Sequence, residues 1–374
     1  MSGQQSFVAI WWRQFKQRQT DRRVAAGGDS QVFRRLERRR VLSVTGAFNA
    51  LTGVLDVTIA AGGNTVANLL DAGGGSFFLD ENNDSLLNGT EVSGLFTDLR
   101  QVNVNGGVDD IGSFFWRDNF LTAPLDFVGP NVVNISNIDS ATFSGSVATA
   151  GNVSIDVNSS FSLTGSLDVT GNLTIGATGV ASQIDNGAGS SLTVSGLTSL
   201  TANTIDLGNQ AGDLVDLNSL EVLGSNQTSI SADSDLTVNS AAATDTLDIN
   251  ALGTITLGGA VSGTNGVSLF ADGQDHDVVI NAGVQSTAGS VTIQAGDSVL
   301  FGAGGSLQAG GAGIVSVTAN VGDLVGDSGN TILMADGSSI LASTGDITLS
   351  TAGANGGDIL LSSLTTDSAS ATAV

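Results

Sequence analysis

The 374-residue chain carries 36 acidic and 12 basic side chains, a formal net charge of -24, with 51 glycines, two prolines and no cysteine. Disulfides, thiol nucleophiles and cysteine-ligated metals are excluded, and 41% hydrophobic content is too high for a disordered polar chain. Glycine in excess without a collagen period, few aromatics, and Val, Leu, Ile and Ala set among Thr, Ser, Asn and Asp suit an all-β protein of short strands and tight turns.

Ten of the twelve Lys and Arg lie before Val41, and the last is Arg117. A surface with Asp at intervals and no cations repels phosphate backbones and anionic lipid, so nucleic-acid and membrane-surface partners lose their electrostatic basis and divalent cations gain one. No stretch reaches the roughly 18 apolar residues of a transmembrane helix. Residues 1–45 read as a basic, poorly ordered arm. Its apolar run, Phe7 to Trp12, precedes its basic residues and is shorter than the apolar region of a standard secretory signal. Within the arm, Leu36-Glu37-Arg38-Arg39-Arg40-Val41-Leu42-Ser43 resembles the LEPR-XLL motif near the start of very large exported bacterial proteins, with Arg38 where that motif has Pro. The resemblance implies export to the cell exterior.

Residues 46–130 alternate apolar and polar in Val54-Leu55-Asp56-Val57-Thr58-Ile59 and Val102-Asn103-Val104, broken by glycine clusters, and hold most of the phenylalanines together with Trp116. This predicts a small β domain with its own core. It contains Asp80-Glu81-Asn82-Asn83-Asp84-Ser85-Leu86-Leu87-Asn88-Gly89-Thr90-Glu91. Oxygen ligands at loop positions 1, 3 and 5, a backbone carbonyl at 7 and a carboxylate at 12 suit a hard cation, which takes about six to eight oxygens. Asp80, Asn82, Asp84 and Glu91 would give side chains and Leu86 its carbonyl, with Asn88 binding directly or through water. Ser85 stands where the sharp turn usually has Gly, and the preceding Ser76-Phe77-Phe78-Leu79 reads as a strand, so this is not a helix-flanked EF-hand. It resembles the calcium loop of SdrD B-like repeats of bacterial surface proteins, which implies Ca2+ as the ligand.

From 131 to 374 one phrase returns: Leu167-Asp168-Val169-Thr170-Gly171, Leu192-Thr193-Val194-Ser195-Gly196, Ile255-Thr256-Leu257-Gly258-Gly259, Ile347-Thr348-Leu349-Ser350. Short period-two strands of one kind, separated by Gly, Asn, Asp or Ser, with no Pro after Pro130 and few aromatics to fill a wide sandwich, predict a repetitive parallel β-helix, or β-solenoid. Inward Val, Leu and Ile would stack on their copies one turn away while Gly and Asn turn the corners. The phrases are similar to repeats of filamentous-haemagglutinin-type adhesins and other bacterial surface β-solenoids. Neither Pro124 nor Pro130 follows Asn, so the Asn-Pro motifs of the two-partner secretion domain are missing.

Catalytic chemistry has little to build on. The single His276 sits among Asp272, Asp275 and Asp277 without a nucleophile, a cluster that reads as a solvated corner, and the glycine-rich stretches lack the Lys of a phosphate loop. The expectation is a non-catalytic extracellular or cell-surface structural or adhesive protein, a calcium-stiffened stalk. One alternative is a module binding polysaccharide, another cell or other surface proteins; a second is a β-helix polysaccharide hydrolase working through paired Asp. The run Ser368 to Val374 follows a repeat without a cap or anchor pattern, which points to a fragment or truncated relative of a longer protein.

Overall fold

The structure, a computed structural model, describes residues 44–59, 66–73, 76–80, 92–95, 98–106, 112–117, 130–321, 330–352 and 357–366. Nearly all of the basic arm and most of the calcium-type loop lie outside these residues. The described residues are all-β, a parallel β-solenoid of about ten turns.

Each turn contributes strands to continuous parallel ladders. The first begins with β2 (Val54–Ile59) and passes through β6 (Gln101–Asn105) and β8 (Val132–Phe143) to Asn152–Leu163 and onward to Ile359–Leu360. The second joins β3 (Val66–Gly73), β7 (Ser113–Arg117) and the far half of β8, and ends at Ile347–Thr351. A third side is built twice. In the early turns it follows the second strand, as in Ser146–Thr149 and Ser166–Val169, whereas from Ala241 on it precedes it, as in Val261–Gly263 and Gly283–Ser286. Residue pairs bonded across turns lie between 18 and 47 positions apart. The ladders cross residue 130 without a break, and Ser43–Val374 forms one compact unit.

Strict alternation in the strands drives this packing. Asn152–Leu163 reads exposed, buried, exposed, buried along its first six residues, so Val153, Ile155 and Val157 point inward. Through the turns those side chains form columns: Leu55, Val102, Val133, Val153, Leu173, Thr198, Leu220, Val238, Leu257, Ile280, Phe301 and Met334 stand one above another. Burial of each aliphatic member contributes about 1.5–3 kcal/mol before the chain's ordering entropy is counted. In the first turns of the second ladder one column alternates small and large residues, Ala67, Phe114, Ala141 and Phe161. The rings of Trp116, Phe143 and Phe161 follow one another at 5.7 and 5.5 Å. The aromatics of the expected small β domain thus line the first turns of the solenoid.

Corners need backbone that ordinary residues resist. Asn137, between the two halves of β8, has φ 56°, in the left-handed region that Asn tolerates better than most side chains. At Gly171 the constraint is proximity, because a Cβ there would stand 2.5 Å from the carbonyl carbon and oxygen of Gly151 one turn below.

The N-terminal end differs from the rest. β1 (Val44–Asn49) runs antiparallel to β2, while β4 (Ser76–Asp80) runs antiparallel to both β3 and β5 (Val92–Leu95). Phe48 and Phe77 meet edge to face at 5.2 Å. Gly94 of β5 lies so close to both rings that a Cβ there would be 2.8–3.0 Å away.

Thr198 is the one polar member of the interior column from Leu55 to Met334. It is fully buried between Leu173 and Leu220, and its hydroxyl has no hydrogen-bond partner. A buried unpaired hydroxyl costs about 1–3 kcal/mol. Thr198→Val, nearly isosteric, is therefore expected to stabilise the fold by about 1 kcal/mol, read as a higher urea midpoint with an unchanged m-value; an unchanged or lower midpoint contradicts it.

Candidate functional surface

Of the six residues expected to hold Ca2+, only Asp80 is described; Asn82, Asp84, Leu86, Asn88 and Glu91 lie outside the described residues. Asp80 ends β4 opposite Asn68, and both side chains are fully buried. That places one carboxylate at the entrance of the loop. Among the described residues no group of three or more His, Asp or Glu could hold a metal ion.

The corner at Asp272 to Asp277 is part of the scaffold. Asp277 accepts the backbone N–H of Ser298 at 2.9 Å, and its own N–H donates to Thr254 Oγ1 at 3.2 Å. These bonds are rungs of a longer corner ladder. Asp235 Oδ1 accepts from Thr254 N–H at 2.7 Å, and Ser298 Oγ from Thr331 N–H at 3.0 Å. In early turns a similar contact is made two positions farther along the register, by Asn152 and Asn172, whose Oδ1 atoms accept from Asn172 and Leu197 N–H, each at 2.9 Å. Asp, Asn, Ser and Thr recur there because each carries a short acceptor that reaches one turn up. Asp272 and Asp275 remain exposed.

The outer faces present rows in register with the inner columns. On the first ladder, Asn103 Nδ2 donates to Asp56 Oδ1 at 2.7 Å and Asn134 Nδ2 to Asn103 Oδ1 at 3.0 Å. Farther along, Glu221 receives hydroxyls from Ser199 at 3.1 Å and Ser240 at 3.4 Å, from the turns on either side. On the second ladder Ser162, Asp185, Asp206, Ser229, Asp248 and Ser268 form one outward row. This row was not singled out from the sequence. Its signal is an Asp flanked by apolar residues at one phase of the repeat, as in Ile205-Asp206-Leu207 and Leu247-Asp248-Ile249. Arg100 and Arg117 are the only Lys or Arg among the described residues, and Arg117 lies over the Phe115 ring at 4.3 Å.

Burial raises the pKa of Asp185 above the ordinary 3.8; a hydrogen bond with Ser162 lowers it and the charge of Asp206 raises it. Asp248 is also raised by burial, against a hydrogen bond with Ser268.

A cavity of about 390 Å³ opens at the C-terminal end of the turns, lined by Ile347, Leu349, Ile359, Leu361, Leu364, Thr365 and Thr366. Its lining has no titratable side chain. Among the described residues no helix is long and apolar enough to cross a membrane. No protein-family model, characterised protein or solved structure matches the chain.

A carboxyl with a raised folded pKa stabilises the fold most below its unfolded value, and that contribution is lost as pH rises through the folded pKa. Charged Asp185 is thus a liability at neutral pH. Asp185→Asn is expected to raise the melting temperature at pH 7, with the gain shrinking toward about pH 4; equal melting at pH 7 contradicts this.

Proposed function

We propose that the Ser43–Val374 unit is a non-catalytic spacer of the cell exterior that sets reach and presents a repeated acidic surface. The observation that carries this reading is the interior column that fills the turns from Leu55 to Met334 and leaves function to the outer rows. About ten turns at about 4.8 Å each span on the order of 50 Å. The export-motif and adhesin-repeat resemblances support an extracellular setting, and the lack of Lys and Arg after Arg117 disfavours nucleic acid.

A module binding polysaccharide or another cell is the second reading. Its support is the outward row of Ser and Asp on the second ladder, which offers a polymer laid along the axis the same contact every turn. A hydrolase has less behind it. Asp185 and Asp206 stand one turn apart, near the roughly 5 Å separation of retaining glycosidases, but their row holds no aromatic ring to stack on a sugar.

Removing residues 236–254, one whole turn because Leu236 pairs with Ile255, separates these readings. With the chain displayed on a cell and a reporter at its far end, a spacer loses reach gradually with each turn deleted. All-or-none loss on deleting one turn would show a discrete binding or catalytic site and overturn the spacer.

Calcium at the loop of Asp80, Asn82, Asp84, Leu86, Asn88 and Glu91 would neutralise its carboxylates and rigidify the N-terminal turns. Since Asp80 is buried, the test variant is Asp84→Ala with Glu91→Ala. Calorimetric titration is expected to show about one equivalent bound, lost in the variant, and a melting temperature higher in calcium than in chelator. No binding by the wild-type chain removes calcium from the proposal and leaves the spacer.

A further inference from the structure

We propose that the outer face of the second ladder around Phe270 binds a neutral polysaccharide, one sugar ring lying on the Phe270 ring; this rests on the second reading above, that of a polysaccharide-binding module. The strand Gly266–Ala271 buries Val267, Leu269 and Ala271 and turns Ser268 and Phe270 outward. Phe270 is partly exposed, is not among the side chains packed on the apolar core, and meets no other ring and no cation. Among the described residues no other aromatic is so placed. The rest are buried, except Phe48, which packs on the core against Phe77, and Phe115, which lies under Arg117.

The register surrounds this ring with polar groups. Asn250 pairs with Phe270 from the turn below and Gln294 from the turn above, so a carboxamide stands about 4.8 Å away on either side. Neither side-chain amide has a hydrogen-bond partner among the described residues. In the adjoining outward row Ser268 lies between Asp248 and Thr292. Two residues beyond Asn250 is Leu252, 53% exposed. After Phe270 the chain takes residues 272–277 to reach the next strand, where the neighbouring turns need only 252–254 and 296–298. This longer corner, with Asp272, Gln274 and Asp275 exposed, borders the face at that end.

The occupant follows from the chemistry. A pyranose presents an apolar face of C–H groups and a rim of hydroxyls. The negative face of the Phe270 ring attracts the weakly positive C–H groups. Unengaged carboxamides, which donate and accept at once, and the Asp248 carboxylate suit the hydroxyls. Anionic polymers are disfavoured, because they meet Asp248 and Asp272 and the chain has no Lys or Arg after Arg117. A protein partner needs about 800 Å² with an apolar centre, and here one ring and Leu252 stand among polar side chains.

The test is electrophoresis of the full chain in native gels cast with xyloglucan, galactomannan or mixed-linkage β-glucan, beside one cast with polygalacturonate. At least one neutral polymer is expected to retard the chain, and polygalacturonate is not. Phe270→Ala should raise the polymer concentration for half-retardation about tenfold or more, whereas Phe270→Trp should bind as the wild type does. Gln294→Ala, which leaves the ring in place, should weaken binding about threefold or more. Phe115→Ala, on the same ladder, should leave it unchanged. Since Phe270 stands apart from the core, its variants are expected to melt with the wild-type chain. Equal retardation of wild type and Phe270→Ala by a neutral polymer overturns this site and leaves the module reading; no retardation by any polymer overturns both; retardation by polygalacturonate alone overturns the neutral ligand.

Discussion

The repeat of one turn upon the next, about 4.8 Å apart, is the constraint on which everything else in this protein rests. A residue is accommodated only if it suits both the copy below and the copy above. Inside, that selects the aliphatic columns and the alternation of Ala141 with Phe114 and Phe161. At the corners it selects a short side-chain acceptor or no side chain at all, as at Asp277 and Gly171. Outside, it forces like residues into rows whether or not they suit each other. The stacking of Asp185 on Asp206 is the electrostatic consequence.

Much of this was legible in the sequence, and for a physical reason. Period-two alternation in Leu192-Thr193-Val194 or Ile255-Thr256-Leu257 fixes which side chains face inward, and similarity between phrases says that they face one another. The corner role of Asn and Gly follows from local backbone energetics and is met at Asn137. What the phrases do not carry is the order of the faces. The third side moves from after the second strand to before it near Ala241, and the period-two phrases on either side of that point read alike.

Other features were hidden because they depend on partners distant in sequence. Phe114 and Trp116 read as the core of a local domain, yet their neighbours Ala141, Phe143 and Phe161 come from turns beyond residue 130. Thr198 looks like one more outward Thr until its place between Leu173 and Leu220 is known. Asp277 reads as a member of an acidic cluster, but its carboxylate is taken by the backbone of Ser298. In the candidate calcium loop the sequence speaks with most detail and the described structure adds only the burial of Asp80.

The corner ladder also has a direction. In each of the rungs at Asn152 and Asn172 and again from Asp235 to Ser298 the acceptor belongs to the earlier turn and the N–H to the later one; Asp233, which accepts from Val215 N–H of the turn before, is the exception. A turn that has folded thus holds out oxygens that the following segment fills. The antiparallel strands at the N-terminal end supply a first surface on which to begin. A chain emerging N-terminus first from a ribosome or an export channel meets its template in the right order, so each turn can be laid down with only its predecessor in place.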